Sequence, residues 1–113
     1  MKKLEIITRP EKLDAIKKIL AKHEYIGMTV TAVMGCGHQK GVIKQFEGMH
    51  FDDINLLPKV NVMTVVLDED VEDILTDIRE HISTGSVGDG KVFVSEVCDV
   101  MRIRTGERGE KTL

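Results

Sequence analysis

Two stretches with helical spacing, each flanked by runs with the period of a strand, confine this chain to a few architectures. In the first, Leu13, Ile16, Ile19 and Leu20 recur at intervals that place them on one helix face. The second repeats the pattern with Val71, Ile74, Leu75, Ile78 and Ile82. Pro10 opens the first helix, where its missing N–H costs nothing. Acidic residues from Asp68 onward suit the positive end of the second. Around them, residues 4–8, 28–34, 60–67 and 91–97 read as strands, with Gly27 closing the connection before the second. Residues 100–104 read as a further extended stretch, and the polar Thr105–Leu113 as a mobile tail. The order βαββαβ predicts an α+β fold of the ferredoxin-like type, with both helices on one face of an antiparallel sheet.

That arrangement leaves the other sheet face uncovered. The third strand carries Val60, Val62 and Val66 on one side and Met63, Val65 and Leu67 on the other. A strand apolar on both faces, with helices on one only, predicts an oligomer. The 113 residues suit a single domain spanning 1–113. A net charge of −3 argues against gripping nucleic acid through a broad basic face. No apolar run is long enough to insert into a bilayer. Cys36 and Cys98 have neither metal-ligand spacing nor the number expected of a secreted disulfide framework, so a reducing cytoplasm is the expected location. His23, His50 and His81 are scattered and read as surface residues, not as a metal set.

Two segments carry the chemistry. Between the second helix and the fourth strand lies Thr84-Gly85-Ser86-Val87-Gly88-Asp89-Gly90-Lys91. Its glycines permit positive φ and close approach of the backbone to a ligand. Successive N–H groups in such a turn can bind an anion, with Lys91 adding a charge beside them. Arg102 and Arg104, two residues apart on an extended segment, would share a face and complete a phosphate cradle. A Gly-Asp-Gly turn is also a common connector, and on pattern alone both readings stand. The second segment, residues 37–57, is too long for a simple connection between strands. It is either a surface insertion or an interaction finger whose Phe46, Phe51 and Ile54 a partner would bury.

Several motifs carry a family resemblance over essentially the whole chain. They are Met1-Lys2-Lys3, Gly27-Met28-Thr29-Val30-Thr31, Gly35-Cys36-Gly37-His38-Gln39-Lys40-Gly41, Leu57-Pro58-Lys59-Val60, residues 84–94 and Arg102-Ile103-Arg104-Thr105-Gly106-Glu107. With these the chain resembles the PII signal-transduction proteins, trimeric sensors of nitrogen status. The resemblance implies a homotrimer binding ATP or ADP in clefts between subunits, without catalysis. Adenine would sit against Thr29 and Val65. The phosphates would be held by Gly88, Asp89, Gly90 and Lys91, and by Arg102 and Arg104 from across the interface in the C-terminal arm, residues 102–113. Gly35, Gly37, His38 and Gln39 would close the site. It further implies Mg²⁺ with ATP, coordinated through Gln39, and 2-oxoglutarate near Gln39, Gly41 and Lys59. Residues 37–57 correspond to the T-loop, which would report ligand state to a target through Phe46, Glu47, Phe51 and Ile54. The expected target is a membrane transporter met at its cytoplasmic face, or an enzyme of nitrogen metabolism.

Departures from the family pattern shape that expectation. Phe51 stands in place of the tyrosine that many members uridylylate, and without a hydroxyl the modification is chemically impossible there. Glu47 replaces a basic residue that enters ammonium channels, and reversing a charge at a contact tip replaces attraction by repulsion. Met63 stands where many members carry a glutamate, and His38 where an arginine is usual. An acylphosphatase-type enzyme shares the element order, but it needs its phosphate loop after the first strand, where Thr8-Arg9-Pro10 makes a poor cradle. An RNA-binding module would need aromatics on its central strands, and the chain has three Phe and one Tyr, two of the Phe in the long loop.

Overall fold

The computed structural model describes residues 1–36 and 56–113. Strand β1 runs Lys2–Thr8, helix α1 Leu13–Lys22, β2 Thr29–Gly35, β3 Leu57–Val66, helix α2 Val71–Ile82 and β4 Lys91–Glu96. The strands form one antiparallel sheet in the order β2-β3-β1-β4, the ferredoxin-like arrangement. Register follows the alternation of side chains. Leu4 faces Thr64 and Ile6 faces Val62 across β1 and β3, which puts all four side chains on the buried, helix side.

Short 3₁₀ turns, Pro10–Lys12 and Asp68–Asp70, lead into the two helices. Each helix turns its apolar stripe onto the sheet. Ile16, Ile19 and Leu20 from α1 and Ile74, Ile78 and Ile82 from α2 are buried against Leu4, Ile6, Val60, Val62 and Val66. At the end of α1, Glu24 takes a left-handed φ of 69°. Tyr25 N–H then donates to the Leu20 carbonyl and Glu24 N–H to the Ala21 carbonyl, closing the helix as a glycine usually does.

Two buried threonines point into the core layer, and each has a partner. Thr8 Oγ1 donates to the Asp89 carbonyl at 2.7 Å and Thr64 Oγ1 to the Gly27 carbonyl at 2.8 Å. Strand β3 begins at Leu57, three residues before the sequence pattern suggests. Pro58 is admitted because β1 pairing starts only at Val60, so β3 has a neighbour on one side there.

The C-terminal region departs from expectation. Residues 100–104 are not extended. Gly106 N–H donates to the Arg102 carbonyl and Arg102 N–H to the Glu107 carbonyl, and an isolated bridge joins Met101 to Arg108. Gly106 and Gly109, at φ 75° and 87°, supply the reversal. Residues 105–113 likewise fold back instead of trailing. Gly109 N–H donates to the Val100 carbonyl, and Glu110–Thr112 forms a final 3₁₀ turn.

Tyr25, the chain's one tyrosine, ties α1's end to the start of α2. Its hydroxyl donates to Asp70 and accepts from Leu67 N–H at 2.9 Å. Burial first, then the Asp70 hydrogen bond, push its pKa up to about 12. The unfolded chain ionises its tyrosine near 10 and so binds fewer protons than the folded one between about 10 and 12. Stability contributed by Tyr25 is therefore present below pH 10 and lost as pH rises toward 12. A spectrophotometric titration should show no phenolate until well above pH 10. Tyr25→Phe should lower stability by about 1–3 kcal/mol by leaving Leu67 N–H unpaired, measured by urea unfolding.

Candidate functional site

The best-defined polar construction lies where the end of β1 meets the turn that leads into β4. The Asp89 carboxylate organises that turn. It accepts from Thr84 Oγ1 at 2.5 Å, Thr84 N–H at 2.8 Å, Gly85 N–H at 3.1 Å and Arg9 Nη1 at 2.8 Å. Arg9 also donates to the Val87 carbonyl at 3.1 Å. The Thr84 bonds, then the Arg9 charge, hold the Asp89 carboxyl at about 2, well below the usual range. Asp89 was expected among the residues holding phosphate. Its carboxylate is committed to the turn and its carbonyl accepts from Thr8 Oγ1.

Glycine is obligatory at one position. Gly90 adopts φ 107°, and a Cβ there would lie 1.9 Å from the Ile7 carbonyl oxygen. Gly85 and Gly88 also take positive φ, at 78° and 100°. Strand β4 can therefore leave the turn in contact with β1 only because residue 90 has no side chain. Three cations converge around this turn: Arg9, Lys59 and Lys91. Lys59 Nζ donates to the Gly88 carbonyl at 3.0 Å, reaching over from β3. Lys91 is exposed at the first position of β4 and makes no ion pair among the described residues.

The remaining expected residues are distributed over the sheet's uncovered face and the C-terminal segment. Thr29 pairs with Met63, and Val65 lies two residues along the same face of β3. Gly35, at the end of β2, lies against the Lys59 stem, its Cβ direction 4.0 Å from Lys59 Cγ. Thr29 and Lys91 sit on opposite edge strands, about 14 Å apart by strand spacing alone. Arg102 and Arg104 do not share a face of an extended segment. The Arg102 guanidinium donates to Glu107 and to the Thr112 carbonyl, each at 3.3 Å, while Arg104 is exposed within the turn. Among the described residues, every hydrogen bond and ion pair of residues 99–113 stays inside that segment. Gly37, His38, Gln39, Gly41, Phe46, Glu47, Phe51 and Ile54 lie outside the described residues.

Thr8 and Arg9 are constituents that the sequence reading did not place in the site. Thr8-Arg9 looks like a poor phosphate loop taken alone. The available signal was topological, since a β1 beside β4 brings the end of β1 against whatever turn precedes β4.

The family model described as Nitrogen regulatory protein P-II matches residues 1–107. This chain belongs to that family. It is 45% identical to nitrogen regulatory protein P-II 2 of Methanothermobacter thermautotrophicus over 113 residues, covering 100% of this chain and 97% of the relative. It is 46% identical to the P-II protein of Rhizobium meliloti over 109 residues, covering 96% of each. With P-II 1 of Escherichia coli strain K12 it shares 42% over 113 residues, the full length of both. Family membership makes the chain a signal-transduction regulator and not an enzyme, which removes the acylphosphatase-type reading. Among the described residues no helix is long and apolar enough to cross a membrane.

Gly90→Ala should destabilise the fold by about 1–3 kcal/mol from backbone strain alone, and by more once the Ile7 carbonyl is displaced. Urea unfolding measures this. Since the Asp89 carboxyl is lowered on folding, its contribution is present above about pH 4 and lost as pH falls through about 2. Thermal unfolding of Asp89→Asn should therefore start lower at pH 7 and show a flatter decline between pH 4 and 2 than the wild type.

Proposed function

We propose that the chain is an adenine-nucleotide sensor that acts on a target through residues 37–57, the T-loop. The observation that carries this reading is the convergence of Arg9, Lys59 and Lys91 on a turn whose geometry excludes any side chain at Gly90. Backbone N–H groups beside an uncommitted lysine suit an anion of high charge density, such as a polyphosphate. The phosphates of ATP or ADP would lie on Gly88, Asp89, Gly90 and Lys91, the nucleotide-phosphate loop within residues 84–94. Thr29 and Val65 would receive the adenine, with Gly35, Gly37, His38 and Gln39 closing over the ligand.

Separation of Thr29 from Lys91 across the width of the sheet supports a site completed between chains. The uncovered face supports the same reading. It presents half-buried Ile7, Met63 and Val65, and Asn61 Oδ1 is buried there without a partner among the described residues. A homotrimer would cover that face and bring Arg102 and Arg104 from the arm of a neighbouring subunit. Mg²⁺ would accompany ATP, with the Gln39 amide oxygen suited to a hard cation. Lys59 would trade its Gly88 carbonyl for a carboxylate of 2-oxoglutarate, near Gln39 and Gly41. The T-loop would then offer Phe46, Glu47, Phe51 and Ile54 to a target, either a transporter of nitrogen compounds at the cytoplasmic face of the membrane or a nitrogen-metabolism enzyme. With Phe51 lacking a hydroxyl, the switch runs on ligands without uridylylation.

Calorimetric titration with Mg-ATP and with ADP, each with and without 2-oxoglutarate, tests this reading alongside sedimentation equilibrium. Both nucleotides should bind, 2-oxoglutarate should strengthen Mg-ATP alone, and the mass should be three times that of the chain. Lys91→Ala should weaken nucleotide binding about ten- to a hundredfold. Lys59→Ala should abolish the 2-oxoglutarate effect while sparing ADP. Absence of nucleotide binding in the wild type would leave the turn with a purely structural role and defeat the proposal.

A further inference from the structure

Three consecutive carbonyls in the turn before β4 each accept from a side chain that lies outside it. Arg9 Nη2 donates to Val87 at 3.1 Å, Lys59 Nζ to Gly88 at 3.0 Å and Thr8 Oγ1 to Asp89 at 2.7 Å. In a planar trans peptide, a carbonyl and the N–H of the next residue point to opposite sides. Holding these carbonyls therefore turns the Gly88, Asp89 and Gly90 N–H groups the other way. Among the described residues, none of those three N–H groups has a hydrogen-bond acceptor. Earlier in the same turn the Thr84, Gly85 and Ser86 N–H groups are all taken by side-chain oxygens. Adjacent backbone donors left without acceptors are what an anion-binding turn needs, and here their direction is set from behind.

Two of these side chains come from the end of β1, where the chain itself holds them in place. Thr8 is the last residue of the strand and is buried on its helix side, in register with Val60. Arg9 precedes Pro10, and a residue before proline is pushed to extended backbone. It adopts φ −64° and ψ 142°, and Pro10 then opens the 3₁₀ turn that leads into α1. The arginine therefore leaves a stiff junction instead of a loose loop. Both of its terminal nitrogens are engaged, Nη1 on the Asp89 carboxylate at 2.8 Å and Nη2 on the Val87 carbonyl. Arg9 thus meets the turn from the side its carbonyls face, not from the side of the unpaired N–H groups.

We propose that Thr8 and Arg9 are positioning residues, which aim the Gly88, Asp89 and Gly90 N–H groups at a polyphosphate without touching it. This rests on the nucleotide reading of the turn. The test is calorimetric titration with ADP, at a temperature where circular dichroism shows every variant folded. Thr8→Val keeps the branched shape and loses the donor, whereas Thr8→Ser keeps the donor and gives up a buried methyl. ADP affinity should fall about tenfold in Thr8→Val and stay near the wild-type value in Thr8→Ser. A role confined to stability would not favour the serine, which loses apolar burial. Arg9→Gln should also cost about tenfold, and much less in an Asp89→Asn background, because a residue acting through that carboxylate is coupled to it. ADP binding unchanged in Thr8→Val and Arg9→Gln, equal losses in Thr8→Ser and Thr8→Val, or additive effects of Arg9→Gln and Asp89→Asn would each overturn this proposal and leave the nucleotide reading standing. A wild-type chain that binds no ADP would defeat the nucleotide reading itself and this proposal with it.

Discussion

The close approach of Gly90 to the Ile7 carbonyl is the constraint on which the candidate site of this molecule depends. Any Cβ at residue 90 would collide with backbone, which cannot swing aside as a side-chain tip can. That contact lets β4 pair with β1 from its first residue, Lys91 opposite Ile7. Lys91 is thereby placed at the sheet's end instead of on a wandering loop. The turn before it is then locked by one carboxylate, Asp89, shared among Thr84, Gly85 and Arg9. A turn held this way has its N–H groups oriented before any anion arrives, and the entropy of ordering it does not fall on the binding step.

Much of the frame was legible in the residues because it depends on local periodicity. The i, i+3, i+4 stripes of Leu13–Leu20 and Val71–Ile82 became the buried faces of α1 and α2, and the alternation in β3 became its two faces. Failures occurred where a partner distant in sequence or a turn decided the outcome. Val100, Arg102 and Arg104 alternate as a strand does, yet Gly106 and Gly109 reverse the chain and commit Arg102 to Glu107 and Thr112. Arg9 looked unremarkable because its carboxylate partner is 80 positions away. Likewise, no spacing rule links His23 to Asp77, which only the packing of α1 on α2 brings together. Nucleotide specificity was not legible from residues alone; it rested on resemblance, which family membership supports at the level of a regulator.

Among the described residues of one chain, the candidate nucleotide residues do not form a closed pocket. Thr29 and Val65 occupy one part of the uncovered face, Lys91 the opposite edge, and Arg102 and Arg104 a separate hairpin. Thr29 and Val65 lie on the sheet face opposite the helices, so a ligand spanning these residues would lie where the sheet would meet another molecule. The apolar part of a half-buried face is costly in water and favourable in an interface, and an interface that supplied a donor would also satisfy Asn61 Oδ1, which has no partner among the described residues. The same burial that would stabilise an assembly would also bring the parts of the site together, coupling assembly to ligand binding.

The C-terminal hairpin fits this coupling in a particular way. Its polar groups are satisfied internally, by Arg102 with Glu107 and by Arg108 with Asp99, whose carboxyl is lowered first by that arginine. Meanwhile Met101 and Ile103 remain exposed, Ile103 at 92%. A segment with no internal structure would lose backbone freedom on docking, about 1–2 kcal/mol per residue. Here Gly106 and Gly109 have already set the reversal within the chain, so docking would bury apolar side chains at a much smaller ordering cost. The glycines that defeated the strand reading are therefore what make the arm a preformed element, which in the proposed trimer would carry Arg104 to a neighbouring site.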